Sequence, residues 1–305
     1  MRIVFMGTPA IAATCLARLT EDGHEIAGVF TKPDTPKNRG MKLAMSEVKE
    51  YALSHGLHVF QPSTFKDEAV KEQLAALRPE LIAVVAYGKI LPQWVLDVPP
   101  LGCVNIHASI LPALRGSAPI QWSILNGFEE TGVTAMYMDA GMDTGDMIET
   151  RSTPIDPMET SAGLTGRLAV IGAELLSDTV RHIADGTVHR EKQDGSKATM
   201  APMLTRELSP IDWDRRARQI VDQVRGLIPW PVATAELDGT HFKIFRVEPA
   251  GKTTSAAPGT PLALTKHGLE IACGGGEVLT VTELQAEGGK RMAAPDYFRG
   301  HPIKL

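Results

Sequence analysis

The chain has 305 residues, of which 43% are hydrophobic and 22% charged, and 31 Lys+Arg face 36 Asp+Glu for a net charge of -5. This composition excludes a disordered chain, a collagen-like fibre and a coiled coil, and the length predicts about two domains. The negative balance also excludes a uniformly basic nucleic-acid coat, while leaving room for a local basic patch.

Cys15, Cys103 and Cys273 are far apart and form neither a C-x-x-C pair nor a zinc spacing, so no disulfide framework and no metal site are expected. A reducing, cytoplasmic setting fits such usage. The apolar opening from Ile3 to Ala17 is interrupted by Gly7, Thr8 and Pro9, which reads as strand, turn and helix rather than a signal peptide. No uncharged stretch reaches the roughly 18 residues of a membrane span.

In chain order, Ile3 to Met6 predicts a buried strand, Gly7 a tight turn, and Thr8-Pro9 the N-cap and first residue of a helix with apolar positions at Ile11, Cys15, Leu16 and Leu19. A strand follows over Glu25 to Thr31, then a helix over 46–55, a short strand at Val59-Phe60 and a helix over 67–77. Leu81 to Ala86 and Cys103 to His107 are further apolar strands. Such alternation predicts an α/β domain with a doubly wound, mostly parallel sheet, whose ligands sit beyond the carboxyl ends of the strands.

A helix over 117–125, a strand over 133–138 and a long helix over 161–184 complete this part. From Gly186 to Pro210 the chain is polar and aperiodic, as in a connector. A helix over 217–227 and five short strands follow, at 232–237, 241–247, 262–265, 269–272 and 278–284, with Gly274-Gly275-Gly276 as a hairpin turn between the last two. That spacing predicts a small β-barrel of OB-fold type. The expected division is a catalytic domain over 1–189, a linker over 190–208 and a C-terminal domain over 209–305.

Three polar residues, Asn105, His107 and Ser109, alternate onto one side at the end of an apolar strand. Singly, each reads as a strand-end polar group satisfied by neighbouring backbone. Together, at the end of a strand where α/β sheets bind ligands, they are a candidate site. The loop Met138 to Asp146 carries three carboxylates, but Gly141 occupies a position a calcium loop would need for a ligand. Of the three, Asp143 is the candidate to orient and charge His107. A serine nucleophile at Ser109 is disfavoured, because no G-x-S-x-G elbow surrounds it and it sits two residues from the histidine. Dinucleotide binding is disfavoured by the missing G-x-G-x-x-G. Lys37, Arg39 and Lys42 lie in a loop with one acid, Asp34, which reads either as a solvated loop or as a phosphate-contacting arm.

These segments resemble the folate-dependent formyltransferases. The likeness rests on Val4-Phe5-Met6-Gly7-Thr8-Pro9, on Val85 to Pro92 (VAYGKILP), on Asn105-Ile106-His107 with Ser109-Ile110-Leu111-Pro112 and Arg115-Gly116, and on Asp139 to Gly145 (DAGMDTG). Ile211-Asp212-Trp213, Pro229-Trp230-Pro231 and Gly289-Lys290-Arg291-Met292 resemble the C-terminal domain of members that act on tRNA. The resemblance implies a Rossmann-like catalytic domain and a tRNA-binding barrel. It implies transfer of the formyl group of 10-formyltetrahydrofolate to the α-amine of methionyl initiator tRNA, without a metal, by a cytoplasmic monomer. Asn105, His107 and Asp143 become the catalytic residues, Ser109, Ile110, Leu111, Pro112, Ile90 and Leu91 the folate contacts, and Lys37, Arg39 and Lys42 the tRNA contacts. Rival readings are a formyltransferase acting on a nucleotide-linked amino sugar, a formyl-folate hydrolase, and a noncatalytic RNA-binding protein that keeps the folate pocket as a scaffold.

Overall fold

The computed structural model describes residues 1–37 and 42–305, and the side chains of all of these except Pro36, Lys37 and Lys42. The opening apolar run forms β1 (Arg2–Gly7), in which Ile3 to Met6 are completely buried, as expected for a strand covered on both faces. Helix α1 (Ala10–Glu21) begins one residue later than the Thr8-Pro9 pattern predicts. Pro9 is its N-cap, and the Thr8 hydroxyl donates instead to the Tyr87 carbonyl at 3.2 Å. Gly7 permits this sharp entry, since a Cβ there would come within 2.6 Å of the Ala12 Cβ.

The chain divides into two units, one from residues 1–119, 131–153 and 165–202, the other from 120–130, 154–164 and 203–305. The first is built on a seven-stranded sheet. After β1 come β2 (Glu25–Phe30), α2 (Glu47–Ser54), β3 (Val59–Phe60), α3 (Glu68–Ala76), β4 (Leu81–Val85), β5 (Cys103–His107), β6 (Glu130–Tyr137) and β7 (Met147–Pro154). The spatial order is β7-β6-β5-β4-β1-β2-β3. Pairings from β3 through β5 are parallel, and β6 runs antiparallel to β5, with His107 opposite Thr134. The order reverses at β1, the crevice position typical of doubly wound sheets. Ser46 and Asp67 cap α2 and α3 by accepting from the Lys49 and Ala69 N–H groups, as helix-start chemistry predicts. The long helix α4 (Ser161–Ala184) has the predicted bounds. Strand β7 was not expected: its sequence, MIETRSTP, has too little apolar character to show, and one of its eight residues, Thr153, is buried.

The second unit holds α5 (Ala217–Gly226) and strands β8 (Ala233–Leu237), β9 (Thr240–Thr253), β10 (Pro261–Leu264), β11 (Leu269–Cys273) and β12 (Glu277–Ala286). They form an antiparallel sheet in the order β8-β9-β12-β11-β10, with Met292–Ala293 also on β12, consistent with a small barrel. Ile220 and Val224 of α5 pack into the same core as Phe242, Ile244, Val281 and Leu284. A buried ion pair within the helix, Asp222 with Arg225 at 2.7 Å, holds the guanidinium in place. Arg225 also donates through Nη1 to the carbonyls of Asp156 and Glu159, both at 3.0 Å, so residues 154–164 belong to this unit. Removing one partner of such a buried pair costs about 3–5 kcal/mol.

Candidate active site

Alternation along β5 turns Ile106 toward Gly172 of α4, and Asn105 and His107 to the other face. His107 is buried, and its Nε2 lies 2.9 Å from the Leu114 carbonyl oxygen. A carbonyl only accepts, so Nε2 carries the hydrogen and Nδ1 is the nitrogen free to gain or lose a proton. Nδ1 faces Asp143 Oδ2 at 3.7 Å. That carboxylate oxygen also accepts the Gly116 N–H at 2.8 Å. Asn105, almost as buried, has no hydrogen-bond partner for its side-chain amide among the described residues, so its donors remain available.

The pair is held by unusual backbone. Leu114 (φ +60°) and Asp143 (φ +54°) are both left-handed non-glycine residues, a conformation that persists only where the surroundings enforce it. Asp139 enforces part of it by accepting from Gly141 N–H at 3.0 Å and Thr144 Oγ1 at 2.7 Å, closing the loop on itself. Asp139 is therefore occupied locally, and Asp143 is the loop carboxylate brought to His107. Gly145 lets the loop lie directly on β6, because a Cβ there would land on the Tyr137 carbonyl oxygen.

Ser109 is buried, and its hydroxyl donates to the Ala113 carbonyl at 2.6 Å rather than meeting His107, which removes it as a nucleophile. Its own carbonyl accepts from Thr134 Oγ1 at 2.7 Å, and the same hydroxyl accepts the Leu111 N–H at 3.2 Å. Ile110 and Pro112 are half-buried, Leu111 is buried, and the Leu111-Pro112 peptide is cis. Ile90 and Leu91 separate: Ile90 is 87% exposed, whereas Leu91 packs into the core with Val95 and Tyr87. Lys37 and Lys42 pair as one rung of a short hairpin, Thr35–Lys37 with Lys42–Ala44. Arg39 lies outside the described residues. Burial pushes the Cys103 thiol up to about 12, in keeping with an inert strand residue.

Residues that periodicity does not single out complete the site. Thr134 pins the Ser109–Leu111 turn, Thr199 Oγ1 accepts the Leu114 N–H at 2.9 Å, and Gln193 bonds the backbone of the Asp143 loop. Only Thr134 left a trace in sequence, as a hydroxyl inside the apolar run Val133 to Met136. Gln193 and Thr199 lie in the polar stretch whose aperiodicity suggests a connector.

Residues 1–180 match the formyl transferase family and residues 203–302 the formyl transferase C-terminal domain. A methionyl-tRNA formyltransferase of Geotalea uraniireducens is 47% identical over 303 residues, covering 99% of this chain and 96% of that protein. One of Bacillus subtilis is 46% identical with the same coverage of both. Among solved structures, an N-formyltransferase of Helicobacter canadensis complexed with folinic acid and dTDP-3-aminofucose shares the fold, with a TM-score of 0.71 at 18% identity over 92% of this chain and 98% of that one. HypX of Aquifex aeolicus in complex with tetrahydrofolic acid gives 0.65 at 18% identity over 98% of this chain and 47% of its own. With family models over both parts and nearly full-length relatives at this identity, the chain belongs to the formyl transferase family, in its methionyl-tRNA formyltransferase branch.

Proposed function

We propose that this chain transfers the formyl group of 10-formyltetrahydrofolate to the free α-amine of methionyl initiator tRNA, giving N-formylmethionyl-tRNA for translation initiation. The observation that carries the proposal is likeness over 99% of the chain, C-terminal unit included, to proteins named for this reaction. The fold likeness to an amino-sugar enzyme at 18% identity does not extend to its substrate.

In this reading the neutral amine attacks the formyl carbon and the carbonyl electron pair moves onto oxygen. Collapse then breaks the bond to the folate nitrogen, which gains one proton as it leaves while the amine loses one, so the transfer is proton-neutral overall. The unpartnered Asn105 amide donates to the developing oxyanion, and protonated His107 adds its positive charge beside it. Asp143 balances that charge through Nδ1 and receives the amine proton, directly or through water; its 3.7 Å separation from Nδ1 tightens once substrates are bound. The folate pterin lies against the Ser109–Pro112 turn and the exposed Ile90, with Leu91 contributing backbone, so most of its reading is done by main-chain groups. Lys37, Arg39 and Lys42, within the basic segment over 32–42, contact acceptor-arm phosphates, residues 209–305 bind tRNA, and 190–208 join them to the catalytic domain 1–189. Among the described residues no helix is long and apolar enough to cross a membrane. A cytoplasmic monomer is part of the same proposal.

The test is single-turnover transfer of labelled formyl from 10-formyltetrahydrofolate, offered in parallel to methionyl initiator tRNA, a nucleotide-linked amino sugar and water. Rapid transfer to the tRNA alone is the expected result. Transfer only to the sugar or to water keeps the formyl chemistry and overturns the tRNA assignment.

A further inference from the structure

Gln193 saturates its amide. Nε2 donates to the carbonyls of Asp143 and Gly145, both at 2.8 Å, and Oε1 accepts from Arg115 Nε at 3.0 Å and Nη2 at 2.7 Å. Turned over, the amide would set its oxygen against two carbonyls and its NH2 against a guanidinium, so only one orientation satisfies the network. The residues it joins belong to the two halves of the site. Asp143 carries the carboxylate that faces His107, and Gly145 carries the contact that seats the loop on β6. Arg115 lies between Leu114, whose carbonyl takes the His107 Nε2 hydrogen, and Gly116, whose N–H holds the Asp143 carboxylate.

The chain bearing Gln193 is itself fixed at both ends. Met147 and Glu191 exchange backbone hydrogen bonds upstream. Downstream, Arg115–Gly116 pairs in parallel with Met200–Ala201, and Thr199 takes the Leu114 N–H on its hydroxyl and the Arg115 N–H on its carbonyl. Gly116 permits this approach, with φ +121° and the Ala201 carbonyl oxygen 2.7 Å from where a Cβ would stand. Asp143, held in a left-handed conformation, thus has its carbonyl tied to Gln193 and its carboxylate tied to Gly116.

We propose that Gln193 is a positioning residue for the His107–Asp143 pair, setting the carboxylate against Nδ1 from a segment that reads in sequence as a connector. The proposal rests on the reading that these two residues act in formyl transfer. Misplacement of a catalytic group by about 1 Å costs on the order of 100-fold, and loss of an outer hydrogen-bond partner about 10–100-fold.

The experiment is single-turnover and steady-state formyl transfer to methionyl initiator tRNA by Gln193→Ala, Gln193→Glu and the shape-conserving Gln193→Met, each alone and combined with Asp143→Asn. Gln193→Glu retains an oxygen for Arg115 but places another oxygen against the two loop carbonyls, so it isolates the Asp143 side. All three are expected to lower kcat about 10–100-fold with the KM for 10-formyltetrahydrofolate within about threefold of the parent. In the Asp143→Asn background the same changes are expected to cost less than about threefold more, because the group they position is already lost. Wild-type kcat in the single variants, or a full multiplicative loss in the Asp143→Asn background, overturns the proposal. His107→Ala and Asp143→Asn serve as the reference: if both turn over normally, the site reading fails and takes this role for Gln193 with it, whereas if both fail and the Gln193 variants do not, the role alone is refuted.

Discussion

Replacing Thr134 by valine keeps the shape of a completely buried side chain and removes one oxygen. That oxygen donates to the Ser109 carbonyl and accepts the Leu111 N–H, so the substitution strands two backbone groups at the turn proposed to hold the pterin. Each stranded buried group costs about 1–3 kcal/mol, which puts the substitution at about 2–4 kcal/mol with partial relaxation. Thr134→Ser is the control: it retains the hydroxyl and loses a buried methyl, at about 1 kcal/mol. Valine should therefore be the worse replacement although it is the more apolar. Urea unfolding followed by circular dichroism gives the stability order, and steady-state kinetics with varied 10-formyltetrahydrofolate give the consequence for the turn, an increased KM in Thr134→Val that is absent in Thr134→Ser. A Thr134→Val protein as stable as Thr134→Ser, with unchanged KM, would refute the argument that this hydroxyl pins the turn.

Asn105→Ala, His107→Ala and Asp143→Asn should each lower kcat about 100–1000-fold, corresponding to about 2.7–4 kcal/mol of lost transition-state stabilisation, with tRNA affinity by filter binding unchanged. Asp178 is held below the usual carboxylate range chiefly by its hydrogen bond to Arg151, with burial opposing. A depressed carboxylate stabilises the fold above its unfolded pKa, about 3.9, and that contribution disappears as pH falls through its folded value. The Tm deficit of Asp178→Asn should therefore be full at pH 6 and shrink toward pH 3; a deficit independent of pH contradicts the assignment. Initiator tRNA affinity should fall as salt rises, and neutralising Lys37, Arg39 and Lys42 together should flatten the log-log slope by about 2–3, at roughly 0.7–0.9 per phosphate contact. An unchanged slope removes these three residues from the interface.

The parts of the molecule legible in sequence are those where one periodicity serves one buried face. The alternation of Asn105 and His107 at the end of β5 followed from CVNIH alone, and α4 was bounded by its apolar spacing. Asp143 could be named among three carboxylates, but the reason for it, Asp139 turning back on its own loop, lies in local hydrogen bonds. Thr8 carried a cap signal that the Tyr87 carbonyl, 79 residues away, took over. Gln193 and Thr199 were illegible because their partners stand 48 to 85 residues away, in turns and a two-residue strand too short to carry a periodicity. Leu91 next to Ile90 shows the remaining limit: adjacency in a motif does not tell which neighbour faces the core.

The Arg225 anchor sets an order of events during synthesis. The chain passes between its two units five times, and the carbonyls of Asp156 and Glu159 leave the ribosome 69 and 66 residues before the guanidinium that binds them. At about 5–20 residues per second, that is a wait of roughly 3–14 s. During it, residues 154–164 have no partner from α5, whereas the seven-stranded sheet has all its strands once β7 is made. A nascent chain stalled before residue 217 should accordingly protect the sheet from protease while leaving 154–164 cleavable, and a fragment starting at residue 209 should inherit Arg225 without two of its acceptors.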